Sequence, residues 1–494
     1  MAEPFKPVFP GERIEKGDAR YPTMVRGFNL RWVGSPDYVQ LCGDAVQVLK
    51  TVHRAYQEGK RITVRSGGHC YEDFVCENEG GVIIDLSPMH EVYEEPGTEL
   101  FCIEGGATLW NVYNTLYREY GVTLPGGSCY SVGSGGHLTG GGYGLLSRLH
   151  GLTADHLEAV ELVRVNAAGE AELIKVSSDS SDPAEQEIFW AHTGGGGGNF
   201  GIVTKFWFRA VPAPEVAWLS SLAWNWKDLD EDRFAELVGS YGDWHAANSA
   251  PGSEFSPLFA LLHLTQMASE TSQITLTVQV AEDNRALLEE FEAAMGKNMP
   301  EPVPQRAPVG HYGIASPSGE ARRLPWLFAT QTLDGSGKNQ FGKYKSAYMK
   351  QAFPQKQIEA MWKYLREEPN HTAAEALLQV DSYGCQINAI GPEETAVPQR
   401  SSVMKLQFQT YWTQPEHEEA NLNWIRGLYE EMYGPGGPVP DETMDGCFVN
   451  YPDVDLQNWQ QLYYKGNYTR LQRAKALSDP HNVFRHQQSI ELPG

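Results

Sequence analysis

The sequence predicts an α+β protein of two or three packing units. Three observations predict it. Strand and helix patterns alternate through roughly the first 210 residues. At Val211-Pro212-Ala213-Pro214 the composition shifts to longer strands with amphipathic helices between them. Gly434-Pro435-Gly436-Gly437-Pro438-Val439-Pro440 then reads as a stiff linker. Boundaries near Pro212 and Asp441 divide the chain into 1–210, 211–440 and 441–494.

Each element has its own signal. Asp44 to Tyr56 puts Val46, Leu49, Val52 and Tyr56 on one helical face, closed by Gly59. Arg61–Arg65 is a short β-branched run, Gly81–Leu86 an apolar strand, and Leu100–Glu104 a strand leading to a helix over Leu109–Tyr120. Ten glycines from Gly126 to Gly151 are too many for a helix or strand interior, so this stretch reads as a backbone loop wrapped around something. Ala159–Val165 and Ala171–Val176, joined by Asn166-Ala167-Ala168-Gly169, read as a hairpin. A second glycine run, Gly194–Gly198, feeds a strand over Ile202–Phe208. Beyond Pro212 come strands Val216–Trp224, Ile274–Val280 and Val403–Trp412, with helices Leu287–Met295 and Glu416–Met432. The chain has no internal repeat.

Composition narrows the function. The 494 residues are 41% hydrophobic and 21% charged, an ordinary globular balance. Lys plus Arg is 39 against 63 Asp plus Glu, and a net charge of -24 repels phosphate backbones and anionic lipid, which argues against nucleic acid and membrane partners. No run reaches the roughly 18 apolar residues of a membrane span. The start, Met1-Ala2-Glu3-Pro4-Phe5-Lys6-Pro7, lacks a signal-peptide pattern, so a cytoplasmic location is expected. Seven cysteines form an odd, sparse set unlike a disulfide framework, so at least one has another use.

The 50 glycines cluster where chemistry is expected. In Arg65-Ser66-Gly67-Gly68-His69-Cys70, two glycines after a strand let backbone N–H groups converge into an anion nest suited to a pyrophosphate, or simply make a tight turn. The loop Gly126-Gly127-Ser128-Cys129-Tyr130-Ser131-Val132-Gly133-Ser134-Gly135-Gly136-His137-Leu138-Thr139-Gly140-Gly141-Gly142-Tyr143-Gly144 needs a ligand or neighbouring backbone to order it. Its apolar members, Val132, Leu138 and Tyr143, have no use in a flexible linker. A zinc site from His69, Cys70 and Cys76 has an unusual ligand spacing, and no metal is expected. A nicotinamide site lacks Gly-x-Gly-x-x-Gly opening a helix.

These two motifs, with Gly194-Gly195-Gly196-Gly197-Gly198-Asn199-Phe200-Gly201-Ile202-Val203-Thr204, resemble the flavin domain of berberine-bridge-enzyme-like FAD-linked oxidases, and occur in that family's order. The tail resembles the family too, in Asn450-Tyr451-Pro452-Asp453, Tyr463 to Leu471, Asp479-Pro480-His481-Asn482-Val483-Phe484 and Gln488-Ser489-Ile490. The resemblance implies a PCMH-type FAD-binding domain made of the N-terminal part and the C-terminal segment, with an inserted substrate domain of antiparallel sheet covered by helices. It implies FAD bonded twice, through His69 to the 8α-methyl carbon and through Cys129 to carbon 6. Further flavin contacts then fall on Arg65, Ser66, Gly67 and Gly68; on Val132, Gly133, Gly136, His137, Gly141 and Gly142; on Asn199, Gly201, Ile202 and Val203; and on Asn450, Tyr451, Asn467 and Tyr468. This chain departs from the family pattern at Tyr130, where many members have proline, and at Lys465 and Cys385, where glycine is usual.

The implied reaction is oxidation of an alcohol, a sugar hydroxyl or one on a natural-product intermediate, with O2 as acceptor and H2O2 released. The alternatives are ring closure or dehydrogenation on the same scaffold, or a ligand-binding protein without catalysis. Alcohol oxidation needs a base. The family position of that base falls on Tyr451, with Tyr383 resembling its hydrogen-bonding partner and Tyr143 as a further candidate. All cofactor motifs lie outside 211–440, so this region is expected to choose the substrate, with Trp326, Tyr383 and Gln409 as candidates. The expected partners are a small-molecule substrate and O2, and the expected state is a monomer or small homo-oligomer.

Overall fold

The computed structural model describes residues 9–306 and 320–494. Residues 12–208 form two sheets. In the first, Tyr38–Leu41 and Ile62–Arg65 flank Val82–Asp85 in parallel, and Glu12–Glu15 pairs antiparallel at the edge. Helix Ala45–Gln57 covers this sheet. Asp44 starts it, its carboxylate accepting the Gln47 N–H at 2.8 Å. The cap fixes the phase, which buries Val48, Val52 and Ala55, and leaves Val46, expected inside, 50% exposed.

The second sheet is antiparallel in the order Val92–Glu94, Phe101–Glu104, Ile202–Phe208, Leu157–Val165, Ala171–Ser177. Its last pair is the expected hairpin, with Val165 opposite Ala171. The glycine-rich stretch after Gly126 is more than loop: it contains two short helices, Ser134–Thr139 and Ser147–His150. Each is under two turns long, too short for an apolar period to show.

Residues 216–412 supply all of a seven-stranded antiparallel sheet. Its order is Arg322–Pro325, Val216–Asn225, Gln273–Val280, Leu258–Thr265, Glu375–Ser382, Met404–Trp412, Phe341–Met349. Alternate residues face opposite ways along a strand. Ala260, Leu262, Leu264, Leu378, Val380, Leu406 and Phe408 join one core with helices Glu231–Asn248, Arg285–Gly296, Gln355–Trp362 and Glu418–Tyr433. The intervening Phe259, Leu261, His263, Gln379, Asp381, Gln407 and Gln409 turn the opposite way, into a cavity.

The last segment returns to the first unit. Helix Tyr468–Ser478 packs on Pro183–Ala191. The buried Lys475 ammonium donates to the Asn199 and Phe484 carbonyls, at 2.6 Å each, and pairs with Asp479 at 2.7 Å. Those three acceptors replace the water the ammonium gives up.

Candidate active site

The cavity, about 430 Å³, lies between the glycine loops of the first unit, the polar face of the seven-stranded sheet and the Asn450–Pro452 segment. Its glycine walls are backbone packed on backbone. A Cβ on Gly67 would sit 2.3 Å from the Gly133 nitrogen, and one on Gly133 would sit 2.1 Å from the Gly67 nitrogen. Only hydrogen fits at either position. The second glycine run is held by Asn199, whose amide donates to the Gly195 and Gly196 carbonyls at 3.0 and 3.2 Å, while its oxygen accepts Ile490 N–H at 2.8 Å. Bare backbone at Gly68, Gly135, Gly136 and Gly196–Gly198 lines the space. Such walls suit a flat, elongated group such as FAD.

The expected contact residues divide. Ser66, Gly67, Gly68, Val132, Gly133, Gly136, His137, Asn199, Gly201, Val203, Asn450 and Tyr451 line the cavity. Arg65 borders it, but its guanidinium pairs with Asp85 at 2.5 Å and donates to the Met24 carbonyl, so it braces the strand. Gly141, Gly142, Ile202, Asn467 and Tyr468 stand outside the lining. Ile202 is core, and the Asn467 amide ties the Pro392 carbonyl at 2.8 Å and the Thr395 carbonyl at 3.2 Å. A motif marks a neighbourhood, and a third of these residues support that neighbourhood without facing the cavity.

His69 and Cys129 both line the cavity. The His69 ring stacks on Phe28, centroids 4.7 Å apart, and its Nε2 lies 3.0 Å from Ser131 Oγ. Burial pulls its pKa down to about 4, so the imidazole is neutral at pH 7. Burial, with Asp334 adding to it, pushes the Cys129 thiol up to about 11. The inserted unit reaches this end of the cavity: Gly335 abuts the Cys129 sulfur, and Asp334 Oδ1 accepts the Tyr130 N–H at 2.9 Å. A proline after Cys129 would lack that N–H. The other two departures, Cys385 and Lys465, both adopt positive φ, 53° and 47°, the conformation glycine takes without cost.

Tyr451 lines the cavity, but its partner is not Tyr383. The Tyr383 hydroxyl donates to the Gln399 carbonyl at 3.2 Å, in a fully buried cluster with Tyr348 and Tyr143. The group at the Tyr451 oxygen is Lys405, its Nζ donating at 3.1 Å. Lys405 also pairs with Asp381 at 2.6 Å and is fully buried. Burial lowers its pKa, against Asp381, while burial holds the Tyr451 phenol well above its ordinary value. Tyr143 lines the cavity with its hydroxyl committed to the Ser382 carbonyl. Trp326 packs against Tyr113 and Tyr117, away from the cavity.

The cavity floor is a hydrogen-bonded ladder of which the sequence pointed only to Gln409. Gln379 donates to Asp381 at 2.6 Å; its Oε1 meets His263 at 3.1 Å and accepts from Gln409 at 3.2 Å; Tyr411 donates to Gln409 at 2.6 Å. Gln407 donates to the Tyr71 hydroxyl at 3.0 Å, and the Tyr71 ring stacks on Tyr344, centroids 3.6 Å apart.

A charge network, buried at Lys343, Lys345, Glu72 and Asp453 and opening to solvent at Arg426, braces the site from behind. Lys343 pairs with Glu72 and, at 2.7 Å, with Asp453; Lys345 pairs with Asp453 at 2.7 Å and Asp455 at 2.9 Å; Arg426 closes on Asp455 at 2.7 Å. Three cations thus balance three carboxylates. Glu72 follows closely on His69, and Asp453 on Tyr451, so the network links both of these cavity-lining segments to the inserted sheet.

Comparison with known proteins agrees with this architecture. Residues 36–172 match the FAD binding domain family, and residues 447–491 the family described as berberine and berberine like. Aclacinomycin-N/aclacinomycin-A oxidase of Streptomyces galilaeus is 40% identical, over 98% of this chain and 90% of its own. Hexose oxidase of Chondrus crispus is 39% identical, over 96% and 94%. The crystal structure of a glycopeptide hexose oxidase complexed with teicoplanin superposes with a TM-score of 0.90 at 36% identity, covering 99% of this chain and 100% of that one. By its glycine-walled cavity, its two matched domains and these relatives, this chain belongs to the berberine-bridge-enzyme-like FAD-linked oxidases.

Proposed function

We propose that this enzyme oxidises a sugar hydroxyl, on a free sugar or on the sugar of a glycosylated natural product, with FAD bonded to both His69 and Cys129 and O2 as the final acceptor. The observation that carries the reading is the cavity floor. Gln379, Gln407, Gln409, His263 and Asp381 offer donors and acceptors side by side at the foot of Tyr451, which is what a ring bearing adjacent hydroxyls requires. The stacked Tyr71 and Tyr344 rings add an apolar wall for the C–H face of such a ring. Relatives named for hexose and for a glycopeptide hexose point the same way.

FAD, held between the glycine loops and by His69 and Cys129, would supply the hydride acceptor for the carbinol carbon and the route for two electrons to O2, with H2O2 as the product. Tyr451 receives the hydroxyl proton at its phenol oxygen. Lys405 makes that possible: a phenol beside an amine and a phenolate beside an ammonium share one proton and carry the same net charge, so burial does not forbid the basic form of the pair. Asp381 holds the Lys405 ammonium at the phenol. His69 and Cys129 keep the cofactor in place while a bulky substrate enters the open side.

A peroxide-coupled screen of monosaccharides, oligosaccharides and glycosides against simple aliphatic and benzylic alcohols tests the substrate class. Turnover confined to alcohols without a sugar ring overturns it. Intact mass of the denatured protein, expected to show one added FAD, tests attachment.

A further inference from the structure

We propose that the loop Asp334–Gly337 of the inserted unit is a positioning element for flavin attachment, setting the His69 imidazole, through Ser336 and Ser131, in the form whose Nδ1 is free to bond. The inference rests on the reading that His69 carries a flavin bond.

The argument is an accounting of hydrogens. Ser336 Oγ accepts from the Ser131 N–H at 3.0 Å and from the Ser131 hydroxyl at 3.0 Å. A serine hydroxyl has a single hydrogen, and Ser131 has given its own to Ser336. The remaining contact of Ser131 Oγ, 3.0 Å to His69 Nε2, therefore takes its hydrogen from the ring. A neutral imidazole carries one N–H, so with the hydrogen on Nε2 the lone pair is on Nδ1. Phe28 holds the plane of the ring.

Ser336 is itself held in place. Asp334 Oδ1 accepts the Ser336 N–H at 2.9 Å and the Tyr130 N–H at 2.9 Å, clamping the inserted loop to the residue between Cys129 and Ser131. Gly335 sits against the Cys129 sulfur, where an added Cβ would stand at 3.1 Å. One loop from the unit expected only to choose substrates thus touches the neighbourhood of both linking residues.

The hydrogens also balance. Attachment forms the bond from Nδ1 to the 8α carbon and breaks one C–H bond of the methyl group. The methyl hydrogen and the Nε2 hydrogen leave as protons, and two electrons pass through the flavin to dioxygen, giving hydrogen peroxide. The Nε2 hydrogen points at Ser131 Oγ, whose own hydrogen points at half-exposed Ser336. The two hydroxyls are the exit for that proton.

The test uses the full chain with Cys129→Ala, in which His69 is the remaining link, incubated with FAD and read by intact mass after acid denaturation. The single variant should accumulate covalent FAD. Adding Ser131→Ala or Ser336→Ala should slow attachment by on the order of 100-fold or more, as for loss of one proton-transfer group, while bound but acid-released FAD persists. Ser131→Thr, which keeps the hydroxyl, should restore the rate. Attachment at the Cys129→Ala rate in both serine variants overturns the proposal and leaves the His69 link standing. No covalent FAD in Cys129→Ala overturns the link itself, and the proposal with it. Should the serine variants fail to fold, ¹⁵N shifts of labelled histidine in FAD-free Cys129→Ala protein decide: hydrogen on Nε2 supports the assignment, and hydrogen on Nδ1 overturns it.

Discussion

Lys405 meets Tyr451 twice, its ammonium standing 3.1 Å from the phenol oxygen and 4.4 Å from the ring centre. That pairing leads to the first prediction. Tyr451→Phe should keep its flavin and fold, yet reduce the flavin 10²- to 10⁴-fold more slowly in anaerobic single turnover, the usual cost of losing a general base. Lys405→Met should move the onset of reduction to higher pH, because a phenolate loses its counter-charge. Tyr383→Phe should stay near wild type, since its hydroxyl serves the Gln399 carbonyl. Fast reduction by Tyr451→Phe at neutral pH would assign the proton to another group.

Gly67→Ala should purify with little or no flavin. The added methyl group would lie 2.3 Å from the Gly133 nitrogen and 2.9 Å from the Ser131 carbonyl oxygen, and backbone on both sides cannot swing away as a side chain would. Either the two loops separate or the cavity closes. Absorbance at flavin wavelengths checks this, and a fully yellow Gly67→Ala protein would show that the loops can part without loss of the site.

Lys343→Met leaves Glu72 and Asp453 buried without their shared cation. Breaking a buried pair from one side costs about 3–5 kcal/mol. Chemical denaturation of the variant should show a loss of that order, and Lys343→Met with Glu72→Gln should recover part of it by removing the stranded charge. Equal stability of variant and wild type would mean that the network is wetter than its burial implies.

Acid should weaken the fold between pH 6.5 and 4. His192, buried with Nδ1 2.7 Å from the Ile188 carbonyl, is pulled down to about 4 by burial, from an ordinary 6.5. Below pH 6.5 the unfolded chain takes up a proton that the folded chain refuses. The stability this group confers is therefore complete above 6.5 and falls, by roughly 3 kcal/mol, as the pH approaches 4. His137 is pulled down to about 4 in the same way and His486 to about 3. Thermal midpoints across this range should decline, and His192→Asn should flatten the slope.

The parts legible in the sequence are those fixed by local rules. The hairpin at Asn166–Gly169 follows from its turn residues, and the strand Ile202–Phe208 from a short apolar run after glycines; the helix after Thr108 is expected too, and the structure adds its capping box to Asn111. That His69, Cys129 and Tyr451 share one cavity could be read because motifs carry them. Lys405 could not. Met404-Lys405-Leu406-Gln407-Phe408-Gln409 reads as a strand with one face to water, and nothing local says that a second unit covers that face. Its burial, with Lys405 wholly enclosed and Gln407 6% exposed, is decided by residues far away in sequence. Tyr383 is expected at Tyr451 from its resemblance to the family's partner position, and a resemblance in sequence does not fix where a hydroxyl points: that of Tyr383 turns to the Gln399 carbonyl.

The return of the chain end to the first unit sets a timetable for synthesis. Asn199, which holds the second glycine run, is itself held by Ile490 and Lys475, and these are made after the whole inserted sheet. At about 5–20 residues per second, the glycine walls wait unfinished while the whole inserted sheet is made. Until that segment emerges the nascent chain has no complete pocket to offer, and cofactor capture waits for it. Loss of Ile490 would leave the Asn199 side-chain oxygen without the N–H it accepts, with Lys475 still on its carbonyl, and would also take an apolar side chain out of the core that the seven-stranded sheet shares.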